Sequence, residues 1–173
     1  MYAGGLAADN NIPFLLECCK DISELDEVWI CGTGPDEEKV AELAVADSRI
    51  KYFGRLSNAE VLRLEEQAKI LVNFRSPDVE LTKYSFPSKI LEYISAGSLV
   101  LSTRLIGIPE EYFSYIVTVD LKNKADIIGM ISQLLTMPDD EYIGKCLKAQ
   151  EFIMTKKNYL YQSKRIIAFV SQI

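Results

Sequence analysis

Between Lys83 and Gly97 the chain reads Lys-Tyr-Ser-Phe-Pro-Ser-Lys-Ile-Leu-Glu-Tyr-Ile-Ser-Ala-Gly, the densest run of hydroxyl, ammonium and carboxylate groups in the sequence. On a helix of about 100° per residue, Ser85, Ser88, Lys89 and Glu92 fall within about 100° of one face. Phe86, Ile90, Leu91 and Ile94 spread around the opposite side. Pro87 near the first helical position leaves the N–H groups of Ser88 and Lys89 free. Such a helix start attracts anions through its unsatisfied donors and its dipole. Lys89 adds a point charge suited to a diphosphate. Glu92, one turn further in, repels phosphate but accepts two hydrogen bonds at once from vicinal hydroxyls such as those of a ribose. An anion site beside a diol site fits a nucleoside diphosphate. The competing reading of the same residues is an ordinary solvated helix face with a weak Lys89–Glu92 surface pair.

The elements that must position this run are legible as an alternation. Short apolar runs predict strands at Met1–Ala3, Val28–Cys31, Ile50–Phe53, Ile70–Phe74, Leu99–Ser102 and Ile116–Val119. Helical periodicity predicts helices at Ile12–Lys20, Asp36–Ala46, Ser57–Ala68, Pro87–Ala96 and Ala125–Thr136, with one turn at Pro109–Phe113. Two further helices, Asp140–Lys156 and Tyr159–Ser171, finish the chain. Ser57 and Glu60 form a capping box by spacing, and Gly97 sits where a helix stops. Alternating strands and helices imply right-handed βαβ units. The expected fold is α/β, a Rossmann-like doubly wound domain with a six-stranded, mostly parallel sheet and helices on both faces.

Ligands of such sheets bind at the carboxyl ends of the strands. There the chain places Gly4-Gly5, Gly32-Thr33-Gly34, Gly54-Arg55, Arg75, and Thr103-Arg104 followed by Gly107. Gly32-Thr33-Gly34 continues with Pro35, Asp36 and Glu37, which breaks the dinucleotide fingerprint, and no P-loop motif occurs. Nicotinamide binding and P-loop ATPase chemistry are poor fits.

Composition narrows the field further. The 173 residues carry 19 basic and 25 acidic side chains, a net charge of −6, with 49% hydrophobic residues. That is a globular composition, and its acidic balance argues against general nucleic-acid binding. No apolar run approaches the ~20 residues of a membrane span. Histidine is absent, which removes the commonest general base and metal ligand. Cys18, Cys19, Cys31 and Cys146 lack zinc or redox spacing and read as buried small hydrophobes in a reducing cytoplasm. From Asp21 to Ser48 there are nine acidic residues and one lysine, read as a solvated face. From Gly144 to Ile173 there are six basic residues and one acidic. The amphipathic last helix is expected to dock on its own core; contact with an anionic membrane or with another domain is the alternative.

Taken together, Tyr84-Ser85-Phe86-Pro87-Ser88-Lys89, Glu92-Tyr93 and Ala96-Gly97 resemble the donor-binding signature of GT-B glycosyltransferases of family 4. So do Tyr2-Ala3-Gly4-Gly5-Leu6, Trp29 to Gly34, Ile50 to Leu56 and the late Gln162–Phe169 helix, in order along nearly the whole chain. The resemblance implies the C-terminal, nucleotide-sugar-binding half of a two-domain enzyme, so residues 1–173 read as one donor-binding domain, a fragment of a longer chain. An N-terminal acceptor domain is then the missing partner. Such enzymes transfer the sugar with retention and without a bound metal or other cofactor. The setting the resemblance implies is bacterial capsule or lipopolysaccharide synthesis, cytoplasmic or peripheral at the inner face of the membrane, and this domain alone is expected to be inactive.

Carried over residue by residue, the resemblance makes Glu92 the ribose-binding residue and puts Gly4, Gly5, Ser85, Ser88 and Lys89 beside the diphosphate. Arg55 and Leu56 fall near the base. Tyr84 stands eight residues before Glu92, at the sugar-binding position where the family commonly has a glutamate; Glu80 is nearby at the wrong spacing. The basic pair that usually follows the first glycine turn is replaced by Asp9, Asn10 and Asn11, leaving Arg75 and Lys89 to supply that charge. These departures keep a second reading open, a non-catalytic α/β interaction module that retains the fold without donor binding.

Overall fold

The computed structural model describes residues 1–172. Its strands are β1 (Tyr2–Ala3), β2 (Val28–Cys31), β3 (Ile50–Tyr52), β4 (Ile70–Asn73), β5 (Leu99–Thr103) and β6 (Val117–Val119). Two parallel ladders run β1-β2-β3 and β4-β5-β6. The Met1 nitrogen donates to the Ile70 carbonyl at 2.7 Å. The Val72 N–H returns to the Met1 carbonyl at 2.9 Å. These two bonds join the ladders into one parallel sheet of order 3-2-1-4-5-6, the Rossmann order, with its switch point between β1 and β4. Every residue of β4 and β5 is buried, as continuous apolar runs covered on both faces must be.

The helices are α1 (Ile12–Cys19), α2 (Glu37–Ala46), α3 (Asn58–Glu65), α4 (Ser88–Ala96), α5 (Lys124–Leu135), α6 (Asp139–Phe152) and α7 (Tyr159–Val170). On one face of the sheet, α1, α2 and α5 bury Leu15, Leu16, Val40, Leu43, Ile127 and Ile131 with Ile30 and Leu101. On the other, α4 and α6 bury Ile90, Tyr93, Ile94, Ala149 and Phe152 with Leu71 and Val100. All four cysteines are free and buried, and burial pushes the Cys18 thiol up to about 11 and Cys19 up to about 12. Buried neutral thiols behave as packing groups.

The capping box forms as its spacing predicts: the Ser57 hydroxyl accepts from Glu60 N–H, and Ser57 N–H donates to the Glu60 carboxylate at 2.9 Å. Two details differ from the sequence reading. Pro87 is the flanking residue of α4, with φ −71° and ψ 109°, rather than its first helical residue. Residues before a proline avoid helical backbone, so Ser85 lies outside α4, in the turn that leads to it. The last helix does not dock on its own core, because none of the residues of α7 is buried. A π-helical turn at Ile153–Lys157 and the Asn158 cap redirect the chain there, and Ile166, Ile167, Phe169 and Val170 face outward. No helix among the described residues is long and apolar enough to cross a membrane.

Candidate functional site

At the carboxyl ends of β1 and β2 the chain turns on glycine, and the two turns nest. Gly4 N–H donates to the Cys31 carbonyl at 2.9 Å, and Gly32 N–H donates to the Gly54 carbonyl at 2.7 Å. A Cβ on Gly32 would overlap the Gly4 carbonyl, and one on Gly4 would meet Lys89 Cε at 2.7 Å and the Tyr2 hydroxyl at 2.8 Å. Only glycine lets these turns close over the lysine. Two buried phenols fix the first turn from below. The Tyr2 hydroxyl donates to the Gly5 carbonyl at 2.8 Å. The Tyr93 hydroxyl sits 3.3 Å from both the nitrogen and the oxygen of Ala3.

In front of these turns lies a groove of about 500 Å³, walled by Gly4, Gly5, Gly32 and Thr33 on one side and by Arg55, Leu56, Asn58 and Val61 on the other. Ser88, Lys89 and Glu92 of α4 form its floor. The start of α4 has no side-chain cap. Ile90 N–H already turns back to the Pro87 carbonyl at 3.0 Å, so the Ser88 and Lys89 N–H groups remain as the free donors of a helix start. The Lys89 ammonium donates to the Ala3 carbonyl and lies 5.7 Å from the Tyr2 ring centroid and 5.8 Å from that of Tyr93. Desolvation lowers its pKa, while Glu92 and Glu65 oppose that shift. An anion entering the groove would meet the helix start and a partly buried ammonium together.

The structure therefore brings Gly4, Gly5, Ser88, Lys89, Glu92, Arg55 and Leu56 into one groove. Three other predicted residues stand apart from it. The Ser85 hydroxyl donates to the Leu81 carbonyl at 2.8 Å, closing the turn after a 3₁₀ segment at Glu80–Lys83. Tyr84 is 80% exposed. Arg75 pairs with Asp9 at 3.8 Å beneath the 3₁₀ turn Ala8–Asn10, and its Nε is buried without a hydrogen-bond partner. That turn is locked by neutral groups. Asn10 donates to the Gly5 carbonyl at 2.9 Å, and Asn11, left-handed at φ 52°, donates to the Phe74 carbonyl at 2.9 Å.

Thr33, marked in the sequence as part of a strand-end turn, lines the groove, whereas sequence reasoning missed three residues here. Asn58 and Val61 line the groove without any motif to mark them. Glu65, directly behind Glu92, did carry a signal: it is an acid in the apolar stripe of α3, four residues after Val61 and three before Ala68. Two other hollows lie away from this edge. One is an apolar cavity of about 360 Å³ beside Met1, Val28 and Ile70, at the amino ends of the strands. The other is a recess of about 830 Å³ between α6 and α7, bordered by Lys148, Lys156 and Arg165. Neither combines a helix start with the carboxyl ends of strands.

The family model described as "Glycosyl transferases group 1" matches residues 1–137, which hold the sheet, the groove and α1 to α5. The chain belongs to that family. No curated protein sequence matches it. Among solved structures, this group 1 glycosyltransferase chain is similar to Anabaena HepE in complex with UDP and glucose, at TM-score 0.76 and 12% identity, over 99% of this chain and 47% of that one. WaaG, a glycosyltransferase involved in lipopolysaccharide biosynthesis, gives TM-score 0.72 and 17% identity over 98% of this chain and 45% of its own. An E. coli trehalose-6-phosphate protein bound with UDP-2-fluoro glucose gives 0.77 and 10% over 99% and 43%. The fold is thus that of the C-terminal half of GT-B glycosyltransferases. The chain spans about half the length of the structures it matches.

Proposed function

We propose that this chain is the donor-binding half of a retaining glycosyltransferase that takes its sugar from a nucleoside diphosphate. The observation that carries the reading is the meeting of the uncapped start of α4, the nested glycine turns and Glu92 in one groove at the switch side of the sheet. In that arrangement the Ser88 and Lys89 N–H groups and the Lys89 ammonium hold the diphosphate. Their charge is already in place when the leaving group departs, which is where fixed dipoles lower a barrier most. Glu92 accepts the ribose hydroxyls, and Arg55 and Leu56 flank the base.

Because the helix start and Lys89 supply the positive field, we propose that the site needs no bound metal or other cofactor. The acceptor is placed by a further domain of the same polypeptide, and residues 1–173 alone do not turn over. Neighbours that bind UDP and UDP-sugars, and one involved in lipopolysaccharide biosynthesis, support a role in cell-surface polysaccharide synthesis.

The test is thermal unfolding of the 173-residue chain with UDP, GDP and ADP and their sugars. A nucleotide at ~100 times its Kd stabilises by about 2.7 kcal/mol, roughly 5–10 °C for a domain of this size. Glu92→Ala should abolish that shift, and EDTA should leave it intact. The exposed Tyr84 in place of a sugar-contacting acid favours the alternative of an interaction module, and an unmoved melting temperature across the panel would establish that alternative instead.

A further inference from the structure

Glu65 is fully buried, and neither of its carboxylate oxygens has a hydrogen-bond partner. Its neighbour across the α3–α4 contact is Glu92, close enough for the two carboxyl groups to hydrogen-bond, with the Lys89 ammonium next to them. The remaining titratable groups that face Glu65 are the Cys31 thiol of β2 and the Tyr93 phenol of α4. Lys89 and Tyr93 both direct their donors to the Ala3 carbonyl. A buried charge left without a donor is strongly disfavoured, and two carboxyl groups can share a hydrogen bond only when one of them holds a proton.

We propose that Glu65 is a positioning residue for the ribose-binding carboxylate: in its protonated form it donates its O–H to Glu92 and so holds that side chain turned toward the groove. The inference rests on the donor-site reading of Glu92 above. Burial pushes Glu65 up to about 7, the charge of Glu92 adds to the rise, and Lys89 opposes it. When the pH passes that range the proton leaves to solvent and two carboxylates face each other behind the groove. The O–H that anchored Glu92 is then gone and a second negative charge stands beside the groove, so Glu92 loses its fixed orientation, the diphosphate is repelled, and nucleotide affinity falls.

The test measures the Kd of the tightest binder among UDP, GDP and ADP for the wild-type chain, Glu65→Gln and Glu65→Ala. The titration runs from roughly pH 5.5 to roughly pH 8.5, spanning the Glu65 range. Taking the wild-type to Glu65→Gln ratio at each pH cancels the titration of the ligand's own phosphate. That ratio should stay near unity in acid and rise several-fold in base, because the amide donates at every pH. Glu65→Ala, which has no donor to offer, should bind several-fold more weakly than Glu65→Gln throughout. A ratio that does not change with pH, or an alanine variant as tight as the glutamine one, overturns the proposal while leaving the donor site standing.

Carbon NMR of the side-chain carboxyls provides an arm without ligand. Glu65 should titrate near neutrality, with its midpoint lowered by Glu92→Gln. An ordinary glutamate midpoint overturns the proposal whether or not any nucleotide binds. Absence of nucleotide binding together with a neutral-range Glu65 would instead refute the donor reading alone.

Discussion

Replacing Glu65 with glutamine exchanges a buried acid for an amide of the same shape, so the two chains should differ mainly by one titration. The folded protein holds the Glu65 proton to about 7, against 4.5 for an ordinary glutamate. Between those values the folded state binds more protons than the unfolded one, so this group makes stability fall as pH rises through the window and level off above it. At 1.36 kcal/mol per unit the span is on the order of 3 kcal/mol. At about pH 4, below both values, the two chains should melt within about a degree of each other. At about pH 8 the glutamine chain should be the more stable, by roughly 6–12 °C at 2–4 °C per kcal/mol. Thermal and urea unfolding of both chains across this range gives the difference directly, and acids common to both cancel. Glu92→Gln removes one charge that raises Glu65, so its own stability should depend less steeply on pH. Wild-type and Glu65→Gln melting curves that run parallel from acid to base would refute the reasoning, because they would show that Glu65 is ionised in the fold at no cost.

Two further expectations concern the groove itself. Gly32→Ala puts a Cβ against the Gly4 carbonyl, so urea unfolding should show a loss of about 2 kcal/mol or more, with nucleotide binding lost as the two turns separate. Lys89→Met keeps the stem but removes the charge, and should weaken UDP binding by at least tenfold in a titration, whereas Arg75→Gln, already paired with Asp9 outside the groove, should change it by less than threefold.

Legibility of the site in the sequence followed its physical origin. Strands and helices were readable because apolar period and turn residues agree, as at Ser57–Glu60, where spacing and side-chain chemistry specify the same helix start. The groove was readable as far as its parts lie within one local run or at a strand end. Ser88, Lys89 and Glu92 are such parts, since a helix repeats them on one face. Ser85 broke that rule because Pro87 ends the helical periodicity just before it, leaving its hydroxyl to bond Leu81. Arg75 was placed correctly at the end of its strand, but the carboxylate that holds it, Asp9, comes from a 3₁₀ turn distant in sequence. Alternation of elements also could not show that Met1 would stitch two ladders into one sheet. The outward turn at the last helix depends on a π-helical segment, Ile153–Lys157, that no periodicity announces.

The charges of the groove explain why the hidden acid matters more than its distance from solvent implies. Asp9 and Arg75 compensate each other beneath the first turn. On the floor, Glu92 offsets part of the Lys89 charge, so the field that would meet a diphosphate is what remains of that charge together with the uncapped start of α4 and the exposed Arg55. That positive surplus is small, because the helix end contributes only about half a charge and the Arg55 guanidinium is well solvated. A second ionised carboxylate behind Glu92 would cancel it at close range, where screening by water is weakest. On the proposed donor site, a neutral Glu65 would therefore have two effects through one proton: it would aim Glu92 at the diol, and it would prevent the groove from repelling the anion that the diol is attached to.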